Sequence, residues 1–204
     1  MHFVSQSRIL LIALGLPFAG ALAAPQGVAV CAECHGADGM GKGLPMIPVI
    51  AGMPAPHIED AIYAYVDGAR QCVREPRMCE TVAALNESEI GDLANHYSSL
   101  EREFSGAEFD TGLASEGAVL HEELCSLCHW RPDSPGVEDA LGIPLHGQRP
   151  DYLRLALEEY KSGARLTLLD AMGEKINALE PGDFEALVNY YSSYRSGAAP
   201  GTER

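Results

Sequence analysis

Apolar residues recur with the period of an α-helix in both halves of the chain. In the first half, residues 57–69 place four such side chains on one face: Ile58, Ile62, Tyr65 and Val66. Residues 151–161 repeat this 3.6-residue spacing in the second half. No long run of residues alternates between apolar and polar as a half-buried strand would. The pattern therefore predicts an all-α fold.

Two further helices are predicted from their first turns. Asn86 and Glu89 have the spacing of a capping box, which predicts a helix over residues 86–100. Pro181 suits the first turn of a helix over residues 181–194.

The second half of the chain repeats the first. Residues 95–99 (Asn-His-Tyr-Ser-Ser) are matched by residues 189–193 (Asn-Tyr-Tyr-Ser-Ser), 94 positions later. Gly68-Ala69-Arg70 reappears as Gly163-Ala164-Arg165 at an interval of 95, so each copy contains a compensating one-residue shift. One structural unit is therefore duplicated.

A short cysteine motif is part of this repeat. Two cysteines three residues apart are followed directly by a histidine, in two copies: Cys31, Cys34 and His35, then Cys125, Cys128 and His129. Thiols at this spacing lie on one side of a helical turn and can add to the two vinyl groups of one porphyrin. The histidine then lies where it can bind the iron. The motifs predict two covalently bound haem c groups, each at the centre of a small domain whose own core is limited.

A second axial ligand is predicted in each copy. Met78 follows His35 by 43 residues, and Met172 follows His129 by the same interval. In the first copy three other methionines compete: Met40, Met46 and Met53. In the second, the alternatives are His146 or an open position. The matched interval favours Met78 and Met172, since a thioether ligand raises the reduction potential of an electron carrier.

The repeat predicts the division of the chain. Residues 24–100 would form the first domain, 101–111 a charged linker, 112–195 the second domain and 196–204 a flexible tail. Each domain is expected to contain a helix carrying the cysteine motif, a Gly/Pro loop, a middle helix and a final helix.

Two cysteines remain. Cys72 and Cys79 bracket Met78 and have no counterparts in the second copy. They can form a disulfide that holds the ligand loop, or one of them can replace Met78 as a thiolate ligand. Arg70 and Arg165 occupy one repeat position near this loop and can pair with haem propionates or with nearby carboxylates.

The N-terminus predicts export. Arg8, an apolar run at residues 9–16 and small residues at 21–23 have the order of a cleaved signal peptide. We therefore expect a periplasmic protein without a membrane span after cleavage. The formal charge of −15 argues against nucleic acid as a partner and favours a basic docking partner, or simply a well-solvated surface.

The likeness to a known family extends beyond the motifs. It is carried by residues 109–114 (Phe-Asp-Thr-Gly-Leu-Ala), 117–121 (Gly-Ala-Val-Leu-His) and 145–153 (Leu-His-Gly-Gln-Arg-Pro-Asp-Tyr-Leu). The chain resembles the dihaem c4-type superfamily of two tandem class I cytochrome c domains. Within it, the sequence is most similar to the dihaem cytochrome subunit of flavocytochrome c, a sulfide dehydrogenase. Cys72 and Cys79 depart from the basic dihaem pattern.

The resemblance implies a function. A separate FAD-containing subunit would oxidise sulfide and pass electrons singly to this chain, which would pass them to a soluble cytochrome or similar acceptor. The chain would not be catalytic by itself. The competing hypotheses are a free c4-type carrier that feeds a terminal oxidase, and a dihaem enzyme or sensor with an open iron position.

Overall fold

The computed structural model describes residues 24–41, 44, 46–74, 76–104 and 106–195. The predicted signal peptide and C-terminal tail lie outside these residues. The described chain forms eight α-helices, which in order are α1 (Val28–His35), α2 (Ala55–Val66), α3 (Pro76–Val82), α4 (Glu87–Ser98), α5 (Thr111–Leu124), α6 (Pro150–Ser162), α7 (Asp170–Ala178) and α8 (Asp183–Ser193). A 3₁₀ turn covers Val137–Asp139, and no strand occurs in the described part of the chain. The all-α prediction is confirmed.

The helix bounds differ from the predicted ones in three places. The segments that carry Met78 and Met172, expected to be loops, are the short helices α3 and α7. The second cysteine motif follows α5 instead of lying within it, because that helix ends at Leu124. Pro181 precedes α8, whose first residue is Asp183.

Two helix starts follow directly from local sequence. The Asn86 side chain accepts a hydrogen bond from the Glu89 backbone N–H at 3.1 Å, and the Glu89 carboxylate accepts one from the Asn86 N–H at 2.9 Å. This reciprocal capping box begins α4 as the spacing predicts. The Asp110 carboxylate accepts a hydrogen bond from the Leu113 N–H at 2.9 Å and so caps α5.

Each half of the chain has its own apolar core. In the first half, residues of α2 and α4 pack around Leu93 and Tyr97. In the second half, residues of α6 and α8 pack around their repeat counterparts Leu187 and Tyr191. Gly117 allows α5 and α8 to cross closely, since a Cβ there would overlap the Ala186 carbonyl. The predicted limits of the domains stay predictions.

Equivalent loops are anchored in the same way in both halves. The Gly52 N–H donates to the Tyr97 carbonyl at 3.0 Å, and the Gly147 N–H donates to the Tyr191 carbonyl at 2.7 Å. Both glycines have positive φ, of 63° and 74°. The duplication inferred from sequence therefore extends to backbone hydrogen bonding.

The two halves meet through their repeated Ala-Arg segments. Arg70 and Arg165 form an isolated antiparallel bridge. Beside it, the Gln71 N–H donates to the Ala164 carbonyl at 2.8 Å, and the Leu166 N–H donates to the Ala69 carbonyl at 2.7 Å. Equivalent segments therefore face each other about an approximate two-fold axis.

Other buried contacts join the halves. The Gln148 side chain exchanges two hydrogen bonds with the Val49 backbone, at 2.8 and 2.9 Å. In the predicted linker, the Arg102 guanidinium donates to the His146 carbonyl at 3.0 Å. The segment between α4 and α5 is thus partly packed between the halves.

Among the residues that the structure describes, no helix has the length and apolar character needed to cross a membrane.

Candidate functional site

The cysteines of both motifs lie on single helical turns. Cys31 and Cys34 are on α1, whereas Cys125 and Cys128 lie on the turn that follows α5. In that turn the Cys128 and His129 backbone N–H groups donate to the Cys125 carbonyl, at 3.1 and 2.9 Å. All four thiols are half-buried and unoxidised. Each pair is placed to form two thioether bonds to one porphyrin.

The histidine of each motif is held by one ring nitrogen. Nδ1 of His35 lies 3.3 Å from the Pro48 carbonyl oxygen, and Nδ1 of His129 lies 2.9 Å from that of Ile143. Donation from Nδ1–H fixes the tautomer and leaves Nε2 with a lone pair for a metal. Burial lowers the pKa of both His35 and His129 below the usual value, which favours the neutral imidazole that binds iron.

The candidate distal methionines belong to the same two cores. Met78 on α3 packs against the first core, which Cys31 also contacts. Met172 on α7 packs against the second core, together with Leu124, the residue before Cys125. The donors that covalent haem requires (paired thiols, a neutral imidazole and a thioether) are therefore present in each half, and these residues fit haem c.

Two of the competing methionines have other surroundings. Met40 is buried in a separate small cluster with Val49 and Ala51. Met46 is 44% exposed. Met53 belongs to the same first core as Met78, but its sulfur lies 3.5 Å from the Arg102 guanidinium. That contact engages the Met53 thioether with a cation, which favours Met78 as the iron ligand.

His146 is likewise engaged elsewhere. It is 1% exposed, and its Nε2 lies 3.3 Å from the Tyr190 hydroxyl. Its ring contacts that of His121, with centroids 5.0 Å apart. His146 therefore belongs to a buried aromatic cluster, which counts against it as the alternative ligand.

The remaining cysteines are joined. Cys72 and Cys79 form a disulfide with Cα atoms 6.0 Å apart. It closes a loop that ends beside Met78, and this loop is one residue longer than its counterpart, since Arg70 precedes Met78 by eight residues and Arg165 precedes Met172 by seven. A thiolate ligand would require this bond to be reduced.

Known proteins were compared with the chain, and no protein-family model matches it. The thiosulfate dehydrogenase electron acceptor of Thiomonas intermedia is 31% identical over 178 residues, covering 80% of this chain and 80% of the relative. Cytochrome c4 of Pseudomonas aeruginosa is 30% identical over 170 residues, covering 76% of this chain and 81% of the relative. The chain belongs to the dihaem c4-type cytochromes.

Solved structures agree in fold. The cytochrome c4 of Acidithiobacillus ferrooxidans superposes with a TM-score of 0.65 at 21% identity, over 81% of this chain and 99% of that one. A thiosulfate dehydrogenase from Marichromatium purpuratum superposes with a TM-score of 0.67 at 25% identity, over 81% of this chain but 36% of the larger polypeptide. The predictions of two class I cytochrome c domains and of two covalently bound haem c groups are confirmed for this c4-type chain.

Two arginines, Arg70 buried and Arg165 half-buried, lie where the two cytochrome domains meet. Arg70 and Arg165 each stack on a tyrosine five residues earlier, with the guanidinium carbon 4.5 Å from the ring centroid of Tyr65 and Tyr160 respectively. Glu159 lies 3.7 Å from the Arg70 guanidinium.

The positive charges of Arg70 and Arg165 also change the pKa of the neighbouring Tyr152 hydroxyl. The Arg165 guanidinium lies 3.4 Å from the Tyr152 hydroxyl. Burial alone would raise the pKa of Tyr152, yet Arg70 and Arg165 together lower it to about 8. The two guanidiniums therefore make this interface electropositive, which suits it to anionic groups.

The second domain contains a buried polar cluster that no sequence motif indicates. The His121 Nδ1 lies 3.0 Å from the Tyr191 hydroxyl, and the rings of Tyr190 and Tyr191 both contact His146. Burial is the main cause that lowers the pKa of His121 to about 4 and that of His146 to about 3. Isolated histidines in a helical chain carry no periodic signal, so only the fold brings them together.

Proposed function

We propose that this c4-type cytochrome is a periplasmic electron-transfer protein that accepts electrons from a sulfur-oxidising dehydrogenase and passes them to a soluble acceptor. The observation that carries the proposal is the 31% identity to a thiosulfate dehydrogenase electron acceptor across 80% of both chains. The two donor sets, each with paired thiols, a neutral imidazole and a thioether, support an electron carrier. The leader-like residues 1–23 support export.

Within this function, the residues of each domain have distinct roles. Cys31 and Cys34 hold one haem, and His35 with Met78 ligates its iron. In the second domain Cys125 and Cys128 would hold the other haem as thioethers, and His129 with Met172 would bind its iron. Haem supplies an iron that alternates between ferric and ferrous states, and methionine ligation favours the reduced state. Nδ1–H donation to Pro48 and Ile143 keeps each imidazole oriented.

The two interface arginines suit the haem propionates. Arg70 and Arg165 lie side by side, and the Glu159 carboxylate lies 3.7 Å from Arg70 alone, so the pair can offset part of the cost of desolvating a propionate. A propionate role predicts that Arg70→Gln and Arg165→Gln lower the reduction potential of the haem they serve, because a positive charge favours the reduced iron. Spectroelectrochemistry of the two holoproteins would measure this shift; unchanged potentials would contradict it.

The sulfur substrate of the donor separates two candidates. The relative named above favours a thiosulfate dehydrogenase, whereas residues 109–114 and 145–153 resemble the cytochrome subunit that works with an FAD-containing sulfide dehydrogenase. A free carrier to a terminal oxidase is the alternative, supported by the 30% identity to cytochrome c4.

Anaerobic reduction distinguishes these possibilities. The ferric holoprotein would be mixed with a catalytic amount of thiosulfate dehydrogenase and thiosulfate, or of flavin-containing sulfide dehydrogenase and sulfide, and haem reduction followed by absorbance. We expect rapid uptake of two electrons per chain with the thiosulfate pair. Faster reduction by the sulfide pair would select the flavocytochrome function, and slow reduction by both would select the free carrier.

A further inference from the structure

The turn between the two haem cysteines differs sharply between the domains. Leu127 occupies it in the second motif and is 85% exposed. Its repeat counterpart, 94 residues earlier, is the charged Glu33. One exposed leucine is ordinary on a protein surface, so its meaning depends on whether a second apolar side chain lies beside it.

A second exposed leucine is held beside this turn. The Gly142 N–H donates to the Cys128 carbonyl at 3.1 Å, and the Cα of Gly142 lies so close to the His129 ring that a Cβ would overlap it. These contacts place Leu141, which is 71% exposed, next to the second motif. Leu127 and Leu141 together form what we term the leucine centre.

Acidic residues flank both leucines in the chain. Glu122 and Glu123 lie about one turn before Leu127 at the end of α5, and Glu138 and Asp139 lie three and two residues before Leu141. All four side chains are exposed, and none forms an ion pair with another residue that the structure describes. We term these four residues the acidic rim.

The first domain lacks this rim. The repeat counterparts of Glu122 and Glu123 are Val28 and Ala29, and those of Glu138 and Asp139 are Gly43 and Leu44. The rim therefore arises from the second copy alone and does not follow from the general acidity of the chain.

We propose that the leucine centre and its acidic rim form the docking face of the second haem for a basic redox protein. An apolar centre permits close, dry contact between the partners, while a rim of one charge steers the encounter and orients it. The complementary partner carries lysines or arginines around its own apolar contact. An anionic membrane surface has the wrong charge for this rim. The inference rests on the proposed electron-transfer function and names the chemistry of one partner.

Calorimetric titration of the ferric holoprotein with ferric mitochondrial cytochrome c, a basic haem protein, tests the proposal. At an ionic strength of about 10 mM, where exposed charges are weakly screened, the variant E122Q/E123Q should weaken binding roughly fourfold, and E122Q/E123Q/E138Q/D139N about tenfold. The control D92N/E108Q removes the same charge as the double variant from α4 and the linker, and should change Kd less than twofold.

The leucine centre is tested by its own variant and a matched control variant. L127Q should weaken binding about threefold and keep that effect at high salt, whereas V66Q, at an exposed valine of α2 in the first domain, should leave Kd unchanged. Equal weakening by D92N/E108Q would show unspecific attraction to a solvated acidic surface and would overturn the proposal. Wild-type affinity in the rim variants or in L127Q would overturn it as well.

The titration measures binding without electron transfer, so a failure of the docking proposal can be told apart from a failure of the proposed function. Reversible reduction of both haems in the same variants reports on that function separately. Unchanged haem absorption spectra would verify that each variant is folded and loaded.

Discussion

The two domains are alike where they would hold haem and unlike around it. Leu93 and Leu187 are matched core residues, each 1% exposed, and Tyr97 and Tyr191 are matched in the same way. Yet the Tyr191 hydroxyl contacts His121, whereas that of Tyr97 has no hydrogen-bond partner among the residues described. Duplication has kept the core and the donor set and changed the groups that surround them.

The difference is concentrated at a few repeat positions. Gly27 and Ala51 of the first domain correspond to His121 and His146 of the second. The first domain has instead a disulfide next to Met78, for which the second has no counterpart. One domain is therefore stiffened covalently at its ligand loop, and the other contains a buried, titratable cluster.

Removing the attachment cysteines should have the largest effect. C31A/C34A and C125A/C128A should each reduce the haem content from two per chain to one, because each pair serves a separate porphyrin. Iron analysis and the mass of the intact protein would measure this. C72S/C79S is the control and should retain both haems. Two haems in either attachment variant would contradict the assignment.

Core truncation should affect the two domains to a similar extent. L93A and L187A each remove a fully buried side chain, so each should lower the free energy of unfolding by about 2–5 kcal/mol. Denaturant unfolding followed at the haem bands would measure the loss. A loss below 1 kcal/mol in only one variant would show that the two cores are not equivalent.

The disulfide should stabilise the first domain alone. The C72S/C79S variant leaves the apolar core intact but removes the cross-link that closes a short loop. It should therefore lower the free energy of unfolding of the first domain by about 2–3 kcal/mol. Breaking the disulfide should also weaken the charge-transfer absorption that marks methionine ligation of ferric haem, and it should do so in only one of the two haems. In an L187A background, which weakens only the second domain, the added C72S/C79S change should cause a further loss of stability. If L187A and L187A/C72S/C79S were equally stable, a stabilising role of the disulfide would be contradicted.

Acid should selectively destabilise the second domain. The folded pKa values of His121 and His146, about 4 and 3, lie below the ordinary histidine value because of burial, so the unfolded chain binds more protons at mildly acid pH. Their contribution is complete above about pH 6.5 and is lost as pH falls towards the folded values.

Between pH 7 and pH 5 we expect a loss of about 1–2 kcal/mol for His121. His146, whose folded pKa is about 3, should contribute a similar loss, so the H121Q variant should remove about half of the wild-type slope. Denaturant titrations at both pH values would measure it, and an equal slope in wild type and H121Q would refute the role of His121.

Much of this organisation is readable from sequence because it is periodic or motif-like. The helical pattern, the Asn86 capping box and the interval from His35 to Met78 all depend on local spacing. The helices around Met78 and Met172 were not predicted, because they are short and lack a long amphipathic stripe. The Arg70–Arg165 bridge depends on how two domains meet, and nothing local encodes that.

Potentiometric titration of the holoprotein tests the central claim most directly. We expect two one-electron steps in the wild type, with M78A lowering one potential and M172A lowering the other, because each methionine ligates a different iron. A variant that leaves both potentials unchanged, or that shifts both equally, would contradict two separate His–Met haem centres.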